Sequence, residues 1–435
     1  MTKSKKGNFW AALVIFSLTG QIAWVVENMY FNVFIYEMFN ADASAISLMV
    51  AASSVAATLT TLIIGALSDK LGKRKIFICG GYILWGISVW SFALLRADVI
   101  GALFPMAASA AAIGISLTII LDCIMTFFGS AANDACFNAW LTDSTDSTNR
   151  GAAEGINAMM PLVAMLAVFG GFMSFDLGNE ASWVTIFTII GIAVIVIGIL
   201  GFFLIKEPSI DTSENASCFK NIFYGFRPSV IKENSRLYIC LAAFAFFGIS
   251  VQIFMPYLIL YYTVSLQMEN YVLIMAPAII LAAIFSAFYG KIYDKKGFAI
   301  SCTPAIILLL AGYVSLFFFK HIIPVFIGSL LLMCGYLAGT AIFGAAIRDN
   351  TPKNKSGMFQ GLRIVAQVLI PGIVGPAIGA AVLKNAEMIA NSDGTFSFKP
   401  NQNIFLAALI AGIVLVLFLA VIVYPKFKKE GKKNG

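Results

Sequence analysis

Residues 65–75 read GALSDKLGKRK. Gly65 and Gly72 bracket Asp69, and Lys73 and Arg74 follow at once. A second stretch, GKIYDKKG at residues 290–297, repeats the pattern: glycine, aspartate four residues on (Asp294), glycine three after that. The two lie 225 residues apart. Another pair aligns without gaps: DSTDSTNRGAAEG at 143–155 and DNTPKNKSGMFQG at 349–361, 206 residues apart. Asp143, Thr145, Gly151 and Gly155 match Asp349, Thr351, Gly357 and Gly361, and Glu154 matches Gln360. Two such pairs at equivalent places point to a duplicated and fused half-chain.

The medium around these motifs follows from composition. The chain has 435 residues, 60% hydrophobic and 12% charged, whereas a soluble domain carries roughly 25% charged residues. Most of the surface must therefore be solvated by lipid. Crossing a bilayer takes ~20 mainly apolar residues in helical form. Twelve such runs are expected, at 9–38, 43–67, 76–95, 108–140, 152–175, 182–205, 237–264, 270–293, 298–319, 322–347, 357–383 and 403–424. The fold class is thus an all-α membrane protein of two pseudo-symmetric six-helix bundles. The expected domains are 1–205, a linker at 206–236 and 237–435. Lys3, Lys5 and Lys6 precede an apolar stretch too long for a signal peptide, so the first run is expected to stay as a span.

The basic residues set the orientation. Twenty-four of the 29 lysines and arginines fall in the tails and connections on the side of both termini, and four fall on the other side. Arg363 lies inside a span. This bias places both termini in the cytoplasm of a cell with an anionic inner leaflet, and it accounts for the net charge of +7 without nucleic acid. In the linker, Cys218, Phe219, Ile222, Phe223 and Phe226 form an apolar stripe among Lys220, Arg227 and Lys232, which suits a short helix on the inner membrane surface.

The loop at 65–75 resembles the signature of the major facilitator superfamily in nearly every position, and the twelve runs and the half-repeat extend that resemblance over the whole chain. It implies secondary transport by alternating access, two bundles rocking about a central site, with a monomer expected. In that frame the loop is a cytoplasmic gate: Gly65, Asp69, Gly72, Lys73 and Arg74, with Asp143, Arg150 and Glu154, and Asp294 and Asp349 in the second half. Asp69 is expected to face either a helix N-terminus of the other bundle or a base such as Arg150.

An ionisable group inside the hydrocarbon costs several kcal/mol unless paired or hydrated. Glu27, Asp122, Asp134 and Arg363 are such groups. At helical spacing Gly20, Trp24, Glu27 and Phe31 share one face of the first run, with Tyr30 within a turn of Glu27. A carboxylate beside aromatic faces suits a sugar ring. In the fourth run Asp122, Thr126, Gly129, Asn133 and Trp140 form one stripe, while Asp134 points away from Asp122, giving the two acids different jobs. The second half offers Gln252, Tyr257, Tyr261, Arg363 and Gln367 and no embedded acid. Glu27 is expected to line a hydrated cavity and to alternate between proton and cargo.

Gln21-x-x-Trp24-x-x-Glu27 resembles the first helix of sucrose–proton symporters, and Asn138-Ala-Trp-Leu-Thr-Asp143 is similar to the end of the fourth helix in glycoside–pentoside–hexuronide:cation symporters. These resemblances imply symport of a sugar or glycoside. The second run has only serines and threonines where melibiose-type members carry aspartates, which favours a proton over sodium as coupling ion. The alternatives are a proton-antiport exporter of amphipathic compounds and a non-transporting receptor of the same fold. No metal site, cofactor or enzyme chemistry is expected: the seven cysteines are scattered, the lone histidine, His321, has no nucleophile beside it, and no phosphate-binding loop is present.

Overall fold

The computed structural model describes residues 3–105, 109–146, 149–208, 224–268, 270–352, 356–391 and 395–425. Among these, twelve helices are long and apolar enough to cross a membrane. Spans 1 to 6 are Asn8–Phe39, Ala43–Leu71, Lys75–Leu94, Ala110–Asp143, Arg150–Phe172 and Glu180–Leu204. Spans 7 to 12 are Ser235–Ser265, Val272–Tyr289, Lys295–Phe318, Ile322–Asn350, Gly361–Leu383 and Asn403–Val423. Helices satisfy every main-chain polar group internally, which is why a lipid-solvated chain takes this form. Large apolar side chains stand out from the helices, Phe203 at 76% exposed and Ile323 at 69%, as lipid-facing surfaces require.

Polar punctuation ends the spans where the sequence supplies it. The Asp42 carboxylate accepts from the Ala45 amide at 2.7 Å and starts span 2. Gly72, at φ 63°, ends it. Gly297, at φ 73°, breaks the helical run Val272–Phe318 near the start of span 9. These two glycines are partners in the 225-residue repeat, and both have the positive φ that favours glycine, though Gly72 is left-handed helical at ψ 25° and Gly297 is extended at ψ −177°.

By internal contacts the chain divides into two compact units, residues 1–45 with 52–222, and residues 46–51 with 223–435. In the first, spans 3 and 6 meet at two glycines: a Cβ on Gly86 would come within 2.6 Å of the Gly191 carbonyl, and one on Gly191 within 2.8 Å of the Gly86 carbonyl. In the second, spans 9 and 10 approach in the same way: a Cβ on Gly312 would come within 2.5 Å of the Leu332 amide nitrogen, and one on Gly335 within 2.4 Å of the Leu309 amide nitrogen. Helices in lipid associate through such small residues and close packing. The hairpin β1 (Met388–Ala390) and β2 (Phe396–Phe398) joins spans 11 and 12. Phe398 sits edge-on to Tyr257, with ring centroids 6.3 Å apart, and the Ser265 hydroxyl donates to the Pro400 carbonyl.

Several spans contain a wide π-helical turn: Val26–Tyr30 in span 1, Ser130–Phe137 in span 4, Tyr261–Ser265 in span 7, Val365–Leu369 in span 11 and Leu419–Val423 in span 12. Such turns insert extra residues per rotation and often mark functional positions. In the linker, residues 209–223 lie outside the described residues, and with them the expected surface helix. Beyond them a short helix, Pro228–Glu233, leads into span 7, and Phe226 is 43% exposed.

Candidate functional site

Glu27 sits inside the wide turn of span 1. Its carboxylate is 8% exposed, and Oε1 accepts from the Thr126 hydroxyl of span 4 at 2.8 Å. Oε2 has no hydrogen-bond partner among the described residues. One helical turn before Thr126 stands Asp122, 1% exposed, which accepts from Ser53 of span 2 and leaves Oδ1 unpartnered. Asp122 and Asp134 both lie close enough for their charges to act on Glu27. Spans 1 and 4 contain no lysine or arginine.

This geometry corrects one expectation. Glu27 is not displayed on an open cavity wall; its carboxylate is turned into the seam with span 4. Asp122 and Asp134 have different hydrogen-bond partners, Ser53 for the first and Ser130 and Asn133 for the second.

Asp134 is half-buried. Oδ2 accepts from Ser130 at 3.1 Å, and Oδ1 accepts from Asn133 Nδ2 at 3.3 Å. Asn133, 3% exposed, reaches Tyr82 of span 3, whose hydroxyl is 3.0 Å from Asn133 Oδ1 and 2.8 Å from the Phe16 carbonyl of span 1. Trp24 lies 5.0 Å from Trp85, and both rings rest over Gly129, where a Cβ would come within 2.9 Å of each.

Other expected binding residues stand apart from this cluster. Tyr30 is wholly buried, edge-on to Phe172 at 4.5 Å and to Phe169 at 6.0 Å. It serves as packing between spans 1 and 5, because the wide turn swings it off the Glu27 face. Tyr257 is also wholly buried, its hydroxyl 3.5 Å from the Pro376 carbonyl. Gln252 is half-buried, and its Cβ lies 2.5 Å from the position a Cβ on Gly375 would take. Arg363 Nε donates to Gln367 Oε1 at 3.3 Å, one turn along span 11.

The expected gate residues form a network about Arg74, which is 5% exposed. Its guanidinium pairs with Asp69 and with Asp143 at 3.1 Å, and donates to the buried Ser68 hydroxyl. Burial works against the charge, but the two carboxylates hold the guanidinium above its ordinary value. Asp69 forms an ion pair with Arg74 in its own loop. Arg150 instead donates to the Thr145 hydroxyl and to the Thr142 and Thr145 carbonyls, because the turn after span 4 folds back over it. Glu154 is exposed on span 5, and Lys73 is exposed. Gly65 lies near Ala135 of span 4. Glu207, just past span 6, accepts from the amides of Arg74 and Lys75 and so caps span 3.

In the second unit Asp349 accepts from the Tyr293 hydroxyl at 2.7 Å. Tyr293 occupies the repeat position of Ser68, so an aspartate closing span 4 or span 10 is held by the preceding loop in each half. Burial and the Asp349 carboxylate both push the Tyr293 hydroxyl up from its ordinary value. The Asp294 side chain lies outside the described residues.

Sequence reading missed Tyr82, Ser53, Ser130, Ser68 and Glu207. A signal existed for Tyr82: a phenol deep in an apolar span needs a partner. Nothing in the linear sequence brings Glu207 to residue 74.

No curated protein matches the chain. Its fold is similar to that of the nucleoside transporter NupG (TM-score 0.70, 14% identity, covering 95% of this chain and 99% of that one). It is also similar to a bacterial homolog of the human lysosomal transporter Spinster in an inward-facing, occupied conformation (0.68, 16%, 98% and 99%). A third likeness is to the xylose transporter XylE from E. coli (0.67, 15%, 95% and 99%). At these identities the likeness is one of fold. The sequence pattern of the Major Facilitator Superfamily matches residues 9–376, and with twelve spans carrying that fold, the chain belongs to the Major Facilitator Superfamily of membrane transporters.

Proposed function

We propose that this transporter is a proton-coupled symporter of a sugar or glycoside, set in the plasma membrane (the inner membrane in a two-membrane cell) with both termini cytoplasmic. The observation that carries the reading is the Glu27 carboxylate, buried against Thr126 with one oxygen unpartnered and a second buried acid, Asp122, one turn away. Two neighbouring carboxylates without a basic residue on either helix cannot both stay charged at this depth. A proton from solution is the simplest neutraliser, and its arrival and departure can be tied to cargo. The half-buried Trp24 indole, backed by the buried Trp85, suits the apolar face of a sugar ring. The sugar reading rests further on the resemblance of Gln21-x-x-Trp24-x-x-Glu27 and of Asn138–Asp143 to sugar symporters. A solved structure described as a D-xylose–proton symporter has a similar fold, with a TM-score of 0.65 at 14% identity. The cytoplasmic termini follow from the asymmetry of lysine and arginine.

Reconstituted protein given a panel of radiolabelled mono- and disaccharides tests the reading. An inward proton gradient is expected to drive accumulation of at least one sugar. Glu27→Gln is expected to abolish uphill uptake yet leave sugar exchange. Unchanged accumulation by Glu27→Gln would remove the coupling role. Proton-driven efflux of amphipathic dyes, with no sugar moved, would favour the exporter.

A further inference from the structure

We infer that Gln21, Trp24 and Asn28 form the cargo face of span 1, and that the Asn28 amide selects cargo carrying two neighbouring hydroxyls. The inference deepens the sugar-symport reading and rests on it for the class of cargo, though not for the geometry.

Side-chain amides line the helix around the wide turn at Val26–Tyr30. Asn28 Nδ2 donates to the Trp24 carbonyl at 2.7 Å, and Asn32 Nδ2 donates to the Asn28 carbonyl at 2.9 Å. A carbonyl can only accept, so the first bond fixes which end of the Asn28 amide lies against the helix. Nδ2 keeps one proton and Oδ1 keeps its lone pairs, with no further partner among the described residues. Asn32 is wholly buried, whereas Asn28 is exposed.

Depth makes that exposure informative. Asn28 lies about 7 Å along the axis from the middle of Asn8–Phe39, within a hydrocarbon layer ~30 Å thick. Acyl chains offer an amide neither donor nor acceptor, and leaving it unpaired there is costly. An exposed amide at this depth therefore faces water or cargo. Trp24 and Gln21 continue the stripe at one-turn steps towards the start of the span. Both are half-buried, and the Gln21 amide has no hydrogen-bond partner among the described residues. Glu27, next in the chain to Asn28, turns the other way, to the Thr126 hydroxyl. One helical turn thus carries a buried acid on one side and a displayed amide on the other.

The cargo that fits has an apolar ring face and an edge of adjacent hydroxyls. The ring lies on the Trp24 indole, which Trp85 backs at 5.0 Å. At the rim, one hydroxyl donates to Asn28 Oδ1 and its neighbour accepts the remaining Nδ2 proton. A cargo lacking either hydroxyl leaves half of the pinned amide unpaired, and a site built to pair that group rejects it.

Thiol labelling of the full chain in liposomes tests the face. Gln21→Cys and Asn28→Cys are expected to gain reaction with a water-borne methanethiosulfonate reagent over the unsubstituted protein, and Ile192→Cys, at an exposed apolar position of span 6, is expected to gain none. Selection is read as protection of Gln21→Cys by sugars, by ribonucleosides and by analogues of each lacking one hydroxyl. An intact compound is expected to protect at a concentration roughly two- to tenfold below its deoxy analogue, the worth of one hydrogen bond. Asn28→Ala in the same chain should bring that ratio near one, whereas a loss of packing would weaken both compounds alike. Asn28→Ser, whose hydroxyl can still donate to the Trp24 carbonyl, reads the same ratio where the alanine variant does not fold. Labelling at 21 and 28 no faster than at 192, or protection by none of the compounds, would overturn the inference. Sugar protection with its ratio unmoved by either Asn28 variant would overturn it too, and leave the sugar reading standing. Protection by ribonucleosides alone, with the ratio lost in the Asn28 variants, would sink the sugar reading and support the selecting amide.

Discussion

The Thr126 hydroxyl donates to Glu27 Oε1 at 2.8 Å, joining spans 4 and 1 by a contact that one methyl group can erase. Thr126→Val keeps the shape of the side chain and removes the donor. A hydrogen bond to a charged group contributes about 1.5–3 kcal/mol, which is about one to two pH units of titration. The donor favours the carboxylate over the acid, so its loss favours the proton-loaded form. The pH of half-maximal proton-driven uptake is therefore expected to move upward by roughly one unit or more in Thr126→Val, and to stay put in Thr126→Ser. Uptake measured across pH in proteoliposomes checks this, and an unmoved profile in the valine variant would detach Thr126 from the mechanism.

Glycines of the first unit differ sharply in what a methyl group would meet. Gly20→Ala places one 2.6 Å from Asn133 Oδ1, and Gly129→Ala places one 2.7 Å from Trp85 and 2.9 Å from Trp24. Overpacking a close-packed core costs about 1–3 kcal/mol. Gly80 and Gly101 have nothing within 4 Å of the same position. Thermal unfolding of purified variants should show lowered midpoints for the first pair and wild-type or slightly raised midpoints for the second, since alanine is the better helix former. Equal midpoints for all four would mean that the cluster is looser than drawn.

The twelve spans were legible because lipid leaves a helix no polar outlet, so each run of ~20 apolar residues has one reading. The half-repeat was legible as well, and its glycines at 72 and 297 both have a positive φ. The embedded acids could be named from the sequence, but not their grouping. Angles drawn at 100° per residue fail across the wide turns at Val26–Tyr30 and Ser130–Phe137, and Tyr30 ends up packed against Phe169 and Phe172 of span 5. No propensity of VENMY or SAANDACF marks such a turn; packing decides it. The serines of span 2, read as an absence of acids, supply the Ser53 partner of Asp122.

The two halves hold the end of their fourth helix by different chemistry. Arg74 spans Asp69, Asp143 and Ser68, whereas Tyr293 offers one hydroxyl to the exposed Asp349. Arg74→Ala is expected to cost about 2–3 kcal/mol, discounted from a fully buried pair because both carboxylates keep contact with water. Tyr293→Phe should cost at most about 1 kcal/mol. Arg74→Lys should recover only part of the loss, because an ammonium cannot reach two carboxylates and a hydroxyl in a planar fork. The raised Arg74 value keeps the guanidinium charged throughout the neutral range, so titration of the guanidinium itself removes the contribution only in strong alkali. A thermal double-mutant cycle of Arg74→Ala with Asp143→Asn measures the coupling, and additive effects would deny it.

Glu207 ties the start of the linker to the same loop. Its carboxylate accepts from the amides of Arg74 and Lys75, two of the donors that the first turn of span 3 leaves unpaired, and the neighbouring Lys206 carbonyl accepts from the Trp140 indole at 2.9 Å. A carboxylate at a helix N-terminus is favoured both by these bonds and by the helix dipole, together about 1–2 kcal/mol. Glu207→Ala should therefore loosen the start of span 3 more than it lowers global stability. Hydrogen exchange read by mass spectrometry is expected to speed up at residues 74–78 while the middle of span 3 keeps its protection. Glu207→Gln should restore the bonds but not the charge, and so fall between the two. If exchange at 74–78 is unchanged in Glu207→Ala, the cap is idle, and Arg74 must be held in place by Asp69 and Asp143 alone.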